Sequence, residues 1–339
     1  MSLEALFYPK SVAVVGASNN LGSGKMPYFQ IIQGGGFSGP VYPINPKGGE
    51  IGGTQVYKSL DDLPGPVDLA IVAAPVEQSI EIVKAAVRKQ IKFIHFFTSG
   101  FGETGNWKLE KDIISEARKG NLRIVGPNCM GVHCTESKIS FTVIPPQESA
   151  GTIAFLGQSG GVTANFMAMG TTRKIIINKV VSYGNQIDLK IEEYLDYLAD
   201  DENVRLIACY VEDIKDVDGF LRTLRRTTAK KPVIILKGGK TESGSKAAAS
   251  HTGAMASNYT IWEAAVKQHG GLIVDNFDEL MHLVMMGTSK KLPEGKRIGF
   301  LGAGGGVSVL FSDLAVQSGL SLPELGADAQ RMISEKIMG

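Results

Sequence analysis

The sequence predicts an α/β protein of the doubly wound type, with two consecutive parallel sheets and the start of a third module. Three observations support this fold class. Short runs of β-branched and aromatic residues end in Gly, Pro, Ser or Asn, as buried parallel strands do. An amphipathic helical segment separates two of these runs. Many of the 41 glycines lie at the ends of the runs, where α/β proteins build ligand sites.

The first domain is predicted over residues 1–140. Its candidate strands are residues 11–18, 41–47, 69–74, 92–97 and 122–125. Between two of them, Ile80, Val83, Val87 and Ile91 recur at helical spacing, and charged residues fill the opposite face. A strand, a helix and a second strand in this order favour one doubly wound sheet.

The same pattern restarts in a second domain, predicted over residues 148–288. Its candidate strands are residues 152–156, 179–183, 206–211, 232–236 and 272–274. After a short linker, residues 298–307 repeat residues 153–162 at a constant offset of 145, with seven of ten positions identical. This repeat predicts a partial third module over residues 296–339 with the fold of the second domain. We expect the rest of that module on further sequence or on a partner.

Composition limits the classes of partner. The chain has 339 residues, 43% of them hydrophobic and 20% charged, and a net charge of +1. This balance gives no electrostatic reason to expect nucleic acid or an acidic membrane. Three cysteines, no signal peptide and no apolar run of membrane-spanning length favour a reducing compartment, and the cytoplasm is expected.

A glycine-rich turn, residues 16–24, follows the first predicted strand. Glycines there let the backbone approach a pyrophosphate, and the start of the next helix offers N–H groups and partial positive charge. A tight turn without ligand is the alternative, since the spacing is not the strict dinucleotide fingerprint. Lys47 ends the second strand, where an NAD site has an acidic residue. A cation suits a phosphorylated ribose, as in coenzyme A or NADP, unless Lys47 is simply solvated.

A second polar glycine turn, residues 157–161, follows the first strand of the second domain. Gln158, the Ser159 hydroxyl and several N–H groups of this turn are suited to a small anion, such as phosphate or an acyl phosphate. The alternative is a close-packed turn that binds nothing.

A lone histidine, His251, lies among small residues in the segment 246–255. An imidazole in such a loop can be phosphorylated and then moved, since its neighbours leave space around it. Glu212 ends the strand 206–211 and could accept a hydrogen bond from Nδ1 of His251, leaving Nε2 as the nucleophile. A surface histidine and a solvated glutamate are the alternatives.

Eight motifs occur in order along nearly the whole chain. Together they resemble the α part, which binds and ligates CoA, of the acyl-CoA synthetases that form a nucleoside diphosphate, the relatives of succinyl-CoA synthetase. The motifs are residues 9–18, 42–47, 99–103, 126–129, 157–161, 182–185, 236–239 and 250–254.

The resemblance implies a Rossmann-like CoA-binding domain, then a flavodoxin-like CoA-ligase domain and the start of a second ligase-like repeat. It also implies that His251 is the phosphorylated residue and that Glu212 steadies it. The residues implied to line the CoA site are Gly16, Ala17, Ser18, Asn19, Lys47, Thr98 and Ser99. Those implied to bind phosphate or substrate are Gln158, Ser159, Gly160, Gly161, Asn128 and Asn185.

The activity implied is a reversible relay. Phosphate converts an acyl-CoA thioester to an acyl phosphate and free CoA, and His251 then takes the phosphoryl group and releases the carboxylic acid. An ATP-grasp domain with Mg²⁺ passes that group to ADP or GDP. We find neither this domain nor a P-loop in the sequence, so we expect a β-type ATP-grasp partner in a hetero- or homo-oligomer. Ala164 stands where succinate-specific relatives have an aromatic residue, which disfavours succinate.

Two other function classes stay open. One is the CoA-sensing regulatory module of a protein acetyltransferase, although such modules lack the reactive histidine. The other is an NADP-dependent dehydrogenase, which the lack of an evident hydride-transfer constellation disfavours.

Overall fold

The protein divides into two compact units, Met1–Thr288 and Ser289–Gly339. Its structure, a computed structural model, describes residues 2–19, 26–143, 149–244, 258–289, 291, 293–302 and 304–337. The first unit contains two large sheets with helices packed on them. In the described part of the chain, no helix is both long enough and apolar enough to cross a bilayer.

The first sheet has five parallel strands in the order β2-β1-β5-β6-β7. A short antiparallel hairpin, β3–β4, lies outside it. The strands are β1 Val12–Val15, β2 Val41–Ile44, β3 Glu50–Ile51, β4 Thr54–Gln55, β5 Leu69–Val72, β6 Phe93–Phe96 and β7 Arg123–Val125. Counting only the sheet's own strands along the chain, this is the 2-1-3-4-5 order of a doubly wound fold.

The second sheet has the order β13-β12-β11-β9-β10-β8. Its strands are β8 Gly131–Cys134, β9 Ile153–Gly157, β10 Ile177–Ser182, β11 Leu206–Val211, β12 Val233–Lys237 and β13 Leu272–Val274. Strands β9 to β13 are parallel to one another and, numbered along the chain, repeat the 2-1-3-4-5 order. The additional strand, β8, pairs antiparallel with β10 and was not predicted. Each strand predicted from the sequence is present, with ends shifted by a few residues.

Eleven α-helices lie in the described part of the chain. They are α1 Glu4–Phe7, α2 Tyr28–Gly34, α3 Ser79–Arg88, α4 Trp107–Arg118, α5 Gly160–Thr172, α6 Ile191–Asp200, α7 Val217–Thr228, α8 Tyr259–Gln268, α9 Phe277–Gly287, α10 Gly305–Gln317 and α11 Ala327–Ile337. Two 3₁₀ turns, Val76–Gln78 and Gly102–Thr104, follow β5 and β6. The amphipathic segment predicted from Ile80, Val83 and Val87 is α3.

Both faces of the first sheet are buried, because alternate residues of each strand point to opposite sides. Ala13 and Val15 belong to one hydrophobic cluster on this sheet. Val12 and Val14 belong to another, which continues without a break into the second sheet. The shared cluster explains why residues 1–288 form one compact unit.

The second unit contains α10, α11 and a parallel bridge between Arg297 and Ser321. Helix α10 begins and ends 145 residues after α5, so the sequence repeat extends to the helix boundaries. Residues 298–302 correspond to part of β9 but form no strand. A parallel strand needs neighbours on which to form hydrogen bonds, and the described part of this unit offers only the segment around Ser321.

Candidate functional site

The first glycine turn lies at the carboxyl edge of the first sheet, between the ends of β2 and β5. Gly16 has a φ of +91°, and a Cβ there would lie 2.5 Å from the carbonyl oxygen of Ala73. The N–H groups of Gly16 and Ala17 donate to the carbonyl of Ile44 at 2.9 and 3.1 Å. Only glycine fits this conformation and this close approach. The turn therefore lies at the point where the strand order reverses, which is where doubly wound folds bind ligands.

Two asparagine side chains join this turn to the segment after β2. Asn45 Nδ2 donates to the carbonyl of Ala17 at 2.9 Å, and Asn19 Nδ2 donates to that of Glu50 at 3.0 Å. The N–H of Lys47 donates to Asn45 Oδ1 at 3.1 Å, and its side chain is exposed. A third amide, Gln30 Nε2, donates to the Ser18 carbonyl at 3.0 Å. Lys47 is thus linked to the glycine turn through Asn45, and the binding of a phosphorylated ribose by its side chain stays a prediction.

The segments after β6 and β7 complete this edge. Thr98 Oγ1 donates to the carbonyl of Ala74 at 2.6 Å, and the Thr98 carbonyl accepts from the N–H of Asn128 at 3.1 Å. Asn128 adopts a positive φ of +57°, which asparagine tolerates better than most residues. The predicted residues Thr98, Ser99 and Asn128 therefore lie together with Gly16.

The second glycine turn forms the N-terminus of α5. Ser159 is the N-cap, and its Oγ accepts from the N–H of Val162 at 3.4 Å. Gly160 and Gly161 form the first turn of this 13-residue helix. The first N–H groups of a helix lack partners within the helix, and the helix dipole adds partial positive charge. This geometry suits a phosphate group.

One cleft of about 640 Å³ connects the two turns. Apolar side chains, among them Met26, Phe97, Cys129 and Met130, line part of it. Seven of the residues predicted from the sequence also line it, namely Gly16, Thr98, Ser99, Asn128, Ser159, Gly160 and Gly161. A ligand that reaches from the first turn can therefore meet an anion held at the second.

Cys129 lies on this cleft but is a packed thiol. Its side chain is buried, and its Sγ lies 3.8 Å from the Phe96 carbonyl oxygen. Burial raises the pKa of the thiol well above its usual range. A thiol that stays protonated is a poor nucleophile, so Cys129 contributes shape to the cleft rather than covalent chemistry.

Gln158 and Asn185 lie elsewhere than the sequence suggested. The Gln158 side chain is buried, with Oε1 accepting from the N–H groups of Glu212 and Asp213 at 2.8 and 3.0 Å. Its Nε2 donates to the carboxylate of Asp213. Asn185 Nδ2 donates to Glu103 Oε2 at 2.5 Å, in a small pocket separate from the cleft. Neither side chain lines the cleft, because both are engaged by neighbouring loops.

Glu212 directly follows β11 and is half-buried. Burial, and next the Glu212 carboxylate, raise the pKa of the Tyr210 phenol. Lys237 Nζ donates to the Glu212 carbonyl at 2.6 Å. His251 and its neighbours lie outside the described residues, so the contact between His251 and Glu212 stays a prediction.

Lys237 is the residue that the sequence analysis overlooked. It ends β12 at the same sheet edge as Glu212, and it is buried. Burial lowers the pKa of Lys237, and the nearby Asp213 and Glu212 carboxylates oppose that change. The available signal was a lysine that directly follows four apolar strand residues, within the motif 236–239.

Two family models match the chain. A CoA binding domain matches residues 10–135, and a succinyl-CoA ligase like flavodoxin domain matches residues 150–286. They correspond to the two sheets, and they confirm both the doubly wound fold class and CoA as the ligand type.

Curated relatives and a solved structure extend this similarity. The α subunit of acetate–CoA ligase [ADP-forming] II of Pyrococcus furiosus is 38% identical over 95% of this chain and 70% of its own length. Acetate–CoA ligase [ADP-forming] of Methanocaldococcus jannaschii is 36% identical over 94% of this chain and 45% of its own length. The solved structure of the dinucleotide forming acetyl-coenzyme A synthetase 1 of Ca. Korarchaeum cryptofilum, in complex with phosphate and ADP, is similar to this chain with a TM-score of 0.87 and 32% identity, over 98% of this chain and 72% of that one.

These relatives bear on the alternative functions as well. All three are named as ligases or synthetases of CoA thioesters. They support neither a CoA-sensing acetyltransferase module nor an NADP-dependent dehydrogenase.

Proposed function

Because this chain belongs to the nucleoside-diphosphate-forming acyl-CoA synthetases and forms their α-type part, we propose that it converts an acyl-CoA thioester through a phosphorylated His251. The chain is an acid–thiol ligase, and CoA is its substrate. The observation that carries the proposal is the single cleft between the Gly16 turn and the Ser159 turn. It lets a thioester at one turn react with a phosphate at the other.

The first step joins phosphate to the acyl group. Hydrogen phosphate at Ser159, Gly160 and Gly161 attacks the thioester carbonyl carbon, the C–S bond breaks, and CoA leaves as the thiol with the proton that the phosphate loses. The helix N-terminus at Ser159 holds the anionic phosphate in position for this attack. The Gly16–Asn19 turn, Lys47, Thr98 and Ser99 hold CoA.

The second step moves the phosphoryl group to the protein. Nε2 of His251 attacks the phosphorus of the acyl phosphate, the P–O bond to the acyl group breaks, and the carboxylate leaves. Glu212 accepts a hydrogen bond from Nδ1 and stabilises the ring as it gains positive charge. The position of Glu212 at the same sheet edge as Ser159 supports this role.

The nucleotide step requires a partner. The similarity to proteins named as α subunits, and to a synthetase whose structure holds ADP, implies a nucleotide-binding partner or domain. We propose that it is a β-type ATP-grasp subunit or domain, which binds Mg²⁺ and ADP or GDP and takes the phosphoryl group from His251. The three cysteines are free thiols and buried, which fits the cytoplasm as the proposed compartment.

The acid released is proposed to be a monocarboxylic acid. Ala164 lies exposed near the start of α5, five residues after Ser159. Because succinate-specific relatives have an aromatic residue at this position, the small Ala164 is our reason to propose an acetyl, branched or aryl group instead of succinate.

Labelling with radioactive phosphate tests the proposal. The full chain incubated with [³²P]phosphate and acetyl-CoA, isobutyryl-CoA or phenylacetyl-CoA should acquire an acid-labile, base-stable label with at least one of them. The label should vanish in His251→Ala and persist in His269→Ala. His269 is a suitable control because it is the C-cap of α8 and lies outside the cleft. Its Nδ1 is 2.7 Å from the Ala265 carbonyl oxygen. Equal labelling of both variants, or no label in the wild type with any thioester, would overturn the proposal.

A further inference from the structure

Three adjacent strands of the second sheet are joined at their carboxyl ends by bonds that converge on Glu212. In sheet order these strands are β12, β11 and β9. Glu212 follows the central strand, Lys237 ends one neighbour, and Gln158 follows the other. Both flanking side chains bond to the main chain of Glu212.

Gln158 holds the amino side of Glu212. Its Oε1 accepts from the N–H of Glu212 at 2.8 Å, and its own N–H donates to the Tyr210 carbonyl at 3.1 Å. Its Nε2 donates to the carboxylate of Asp213, which also pairs with Lys215 at 2.8 Å. The bonds of a buried amide hold its neighbours firmly, because breaking any of them leaves a polar group unpaired. Since Gln158 precedes Ser159, the phosphate turn is joined to Glu212 directly.

Lys237 holds the carbonyl side. Its Nζ donates to the Glu212 carbonyl at 2.6 Å and to the Gly238 carbonyl. The ammonium group lies 5.8 Å from the centre of the Trp262 ring, within cation–π range. Its side chain is buried, so its position is fixed by packing as well as by bonds.

Gly238 closes the space around Glu212. A Cβ at position 238 would lie 2.6 Å from the Tyr210 hydroxyl and 3.3 Å from Glu212 Cγ. Both peptide groups that flank the Glu212 Cα are therefore bonded, and the stem of its side chain packs against Gly238. The main chain of Glu212, from which the carboxylate extends, is therefore held at the same edge of the second sheet as the phosphate turn.

We infer that Gln158 and Lys237 are positioning residues, which hold Glu212 by its main chain so that its carboxylate meets the histidine loaded at the Ser159 turn. This role rests on the proposed function, since Glu212 has its task only if His251 is phosphorylated. It does not require either side chain to contact substrate. The role predicts slower phosphoryl transfer when either side chain is lost, with unchanged binding of CoA.

The protein contains a matched control for Lys237. Lys231 lies just before the start of β12, at the opposite end from Lys237, and its Nζ also donates to two main-chain carbonyls, Leu198 at 2.7 Å and Asp201. Burial lowers its pKa as well. Lys231→Met and Lys237→Met thus remove the same type of interaction at the two ends of one strand.

The test measures the rate of phosphohistidine formation in the full chain, with saturating [³²P]phosphate and the thioester that labels the wild type. Lys237→Met should form the phosphoenzyme about 10- to 100-fold more slowly, as small misplacements of reacting groups do. Its dissociation constant for CoA and its half-saturating phosphate concentration should equal those of the wild type. Lys231→Met should label at the wild-type rate.

Gln158→Met provides a second, independent variant, which preserves side-chain length and removes all three side-chain bonds. It should show the same slow labelling with unchanged CoA affinity, and it decides the matter if Lys237→Met does not fold. A wild type that acquires no label would overturn the proposed function itself. A labelled wild type, with the folded variants at positions 158 and 237 labelling as fast as Lys231→Met, would overturn only the positioning role.

Discussion

The two sheets share one strand order, yet the turns after their first strands are built in different ways. In the first sheet, Gly16 lies too close to the Ala73 backbone for any side chain to fit. Side chains from other segments, such as Asn45, donate hydrogen bonds to the main chain of the turn. In the second sheet, Ser159 caps a helix, and Gln158 bonds into the neighbouring loop. The same topology therefore supports two different kinds of ligand site.

We attribute this difference to the size of the ligand proposed for each turn. CoA is long, so a site for it needs backbone that a pyrophosphate can approach closely and a rim of segments from several strands. Phosphate is small, so a site for it needs little more than one helix N-terminus. The cleft joins the two turns because both lie at the carboxyl ends of their strands.

Acid should reveal whether the sheets unfold together. Each sheet contains one buried histidine, His95 in β6 and His133 in β8, and burial lowers the pKa of both to about 4. An unfolded histidine titrates near pH 6.5, so between these values the unfolded chain binds more protons. The free energy of unfolding is therefore unaffected by these histidines above about pH 6.5. It decreases as the pH falls from there toward 4, by about 3 kcal/mol for each histidine. Urea unfolding at several pH values measures this loss.

The shared hydrophobic cluster predicts one cooperative unfolding transition for both sheets. His95→Gln should remove about half of this pH dependence of stability, because it removes one of the two buried histidines. The fold should persist, since the glutamine amide can still donate to the Cys129 carbonyl that His95 Nε2 contacts at 2.9 Å. Two separate transitions, with only one affected by this variant, would show that the sheets are independent.

Gly16→Ala should damage the CoA turn selectively. Its Cβ would clash with the Ala73 carbonyl, and its φ of +91° disfavours any side chain, so we expect a loss of about 2–3 kcal/mol in stability. CoA affinity should fall by at least about tenfold, since the turn must shift. Thermal melting and CoA titration measure the two effects.

Gly105→Ala is the matched control for that substitution. Gly105 has a φ of +87°, but a Cβ there meets nothing within 4 Å. It should cost about 1–2 kcal/mol from backbone conformation and leave CoA affinity unchanged. Equal loss of CoA affinity in both variants would mean that the close approach at Gly16 does not shape the site.

Ser159→Ala should have the smallest effect, confined to the phosphate turn. Loss of the N-cap costs about 1 kcal/mol of stability. The half-saturating phosphate concentration for labelling should rise by about threefold to tenfold, with CoA affinity unchanged. Asn276 is the N-cap of α9, and its Oδ1 accepts from the N–H of Glu279 at 2.9 Å. Asn276→Ala should therefore cost similar stability and leave the half-saturating phosphate concentration unchanged. If both variants use phosphate equally well, Ser159 does not bind it.

Sequence patterns predicted the parallel strands and both glycine turns, because buried runs such as 206–211 carry a strong local signal. They missed β8, whose four residues, Gly131–Cys134, have no distinctive pattern and form a strand only by pairing with β10. They also did not predict the positioning roles that we propose for Gln158 and Lys237. The bonds behind that proposal join residues 54 and 25 positions apart, which local periodicity does not reveal.

A crystal structure of the full chain with CoA and inorganic phosphate bound would show directly where each ligand lies. We expect CoA along the Gly16 turn and Lys47, its thiol inside the cleft, and phosphate on the N-terminus of α5 at Ser159. A CoA molecule whose thiol points away from Ser159, or a phosphate bound at a different edge of the second sheet, would contradict the proposed function.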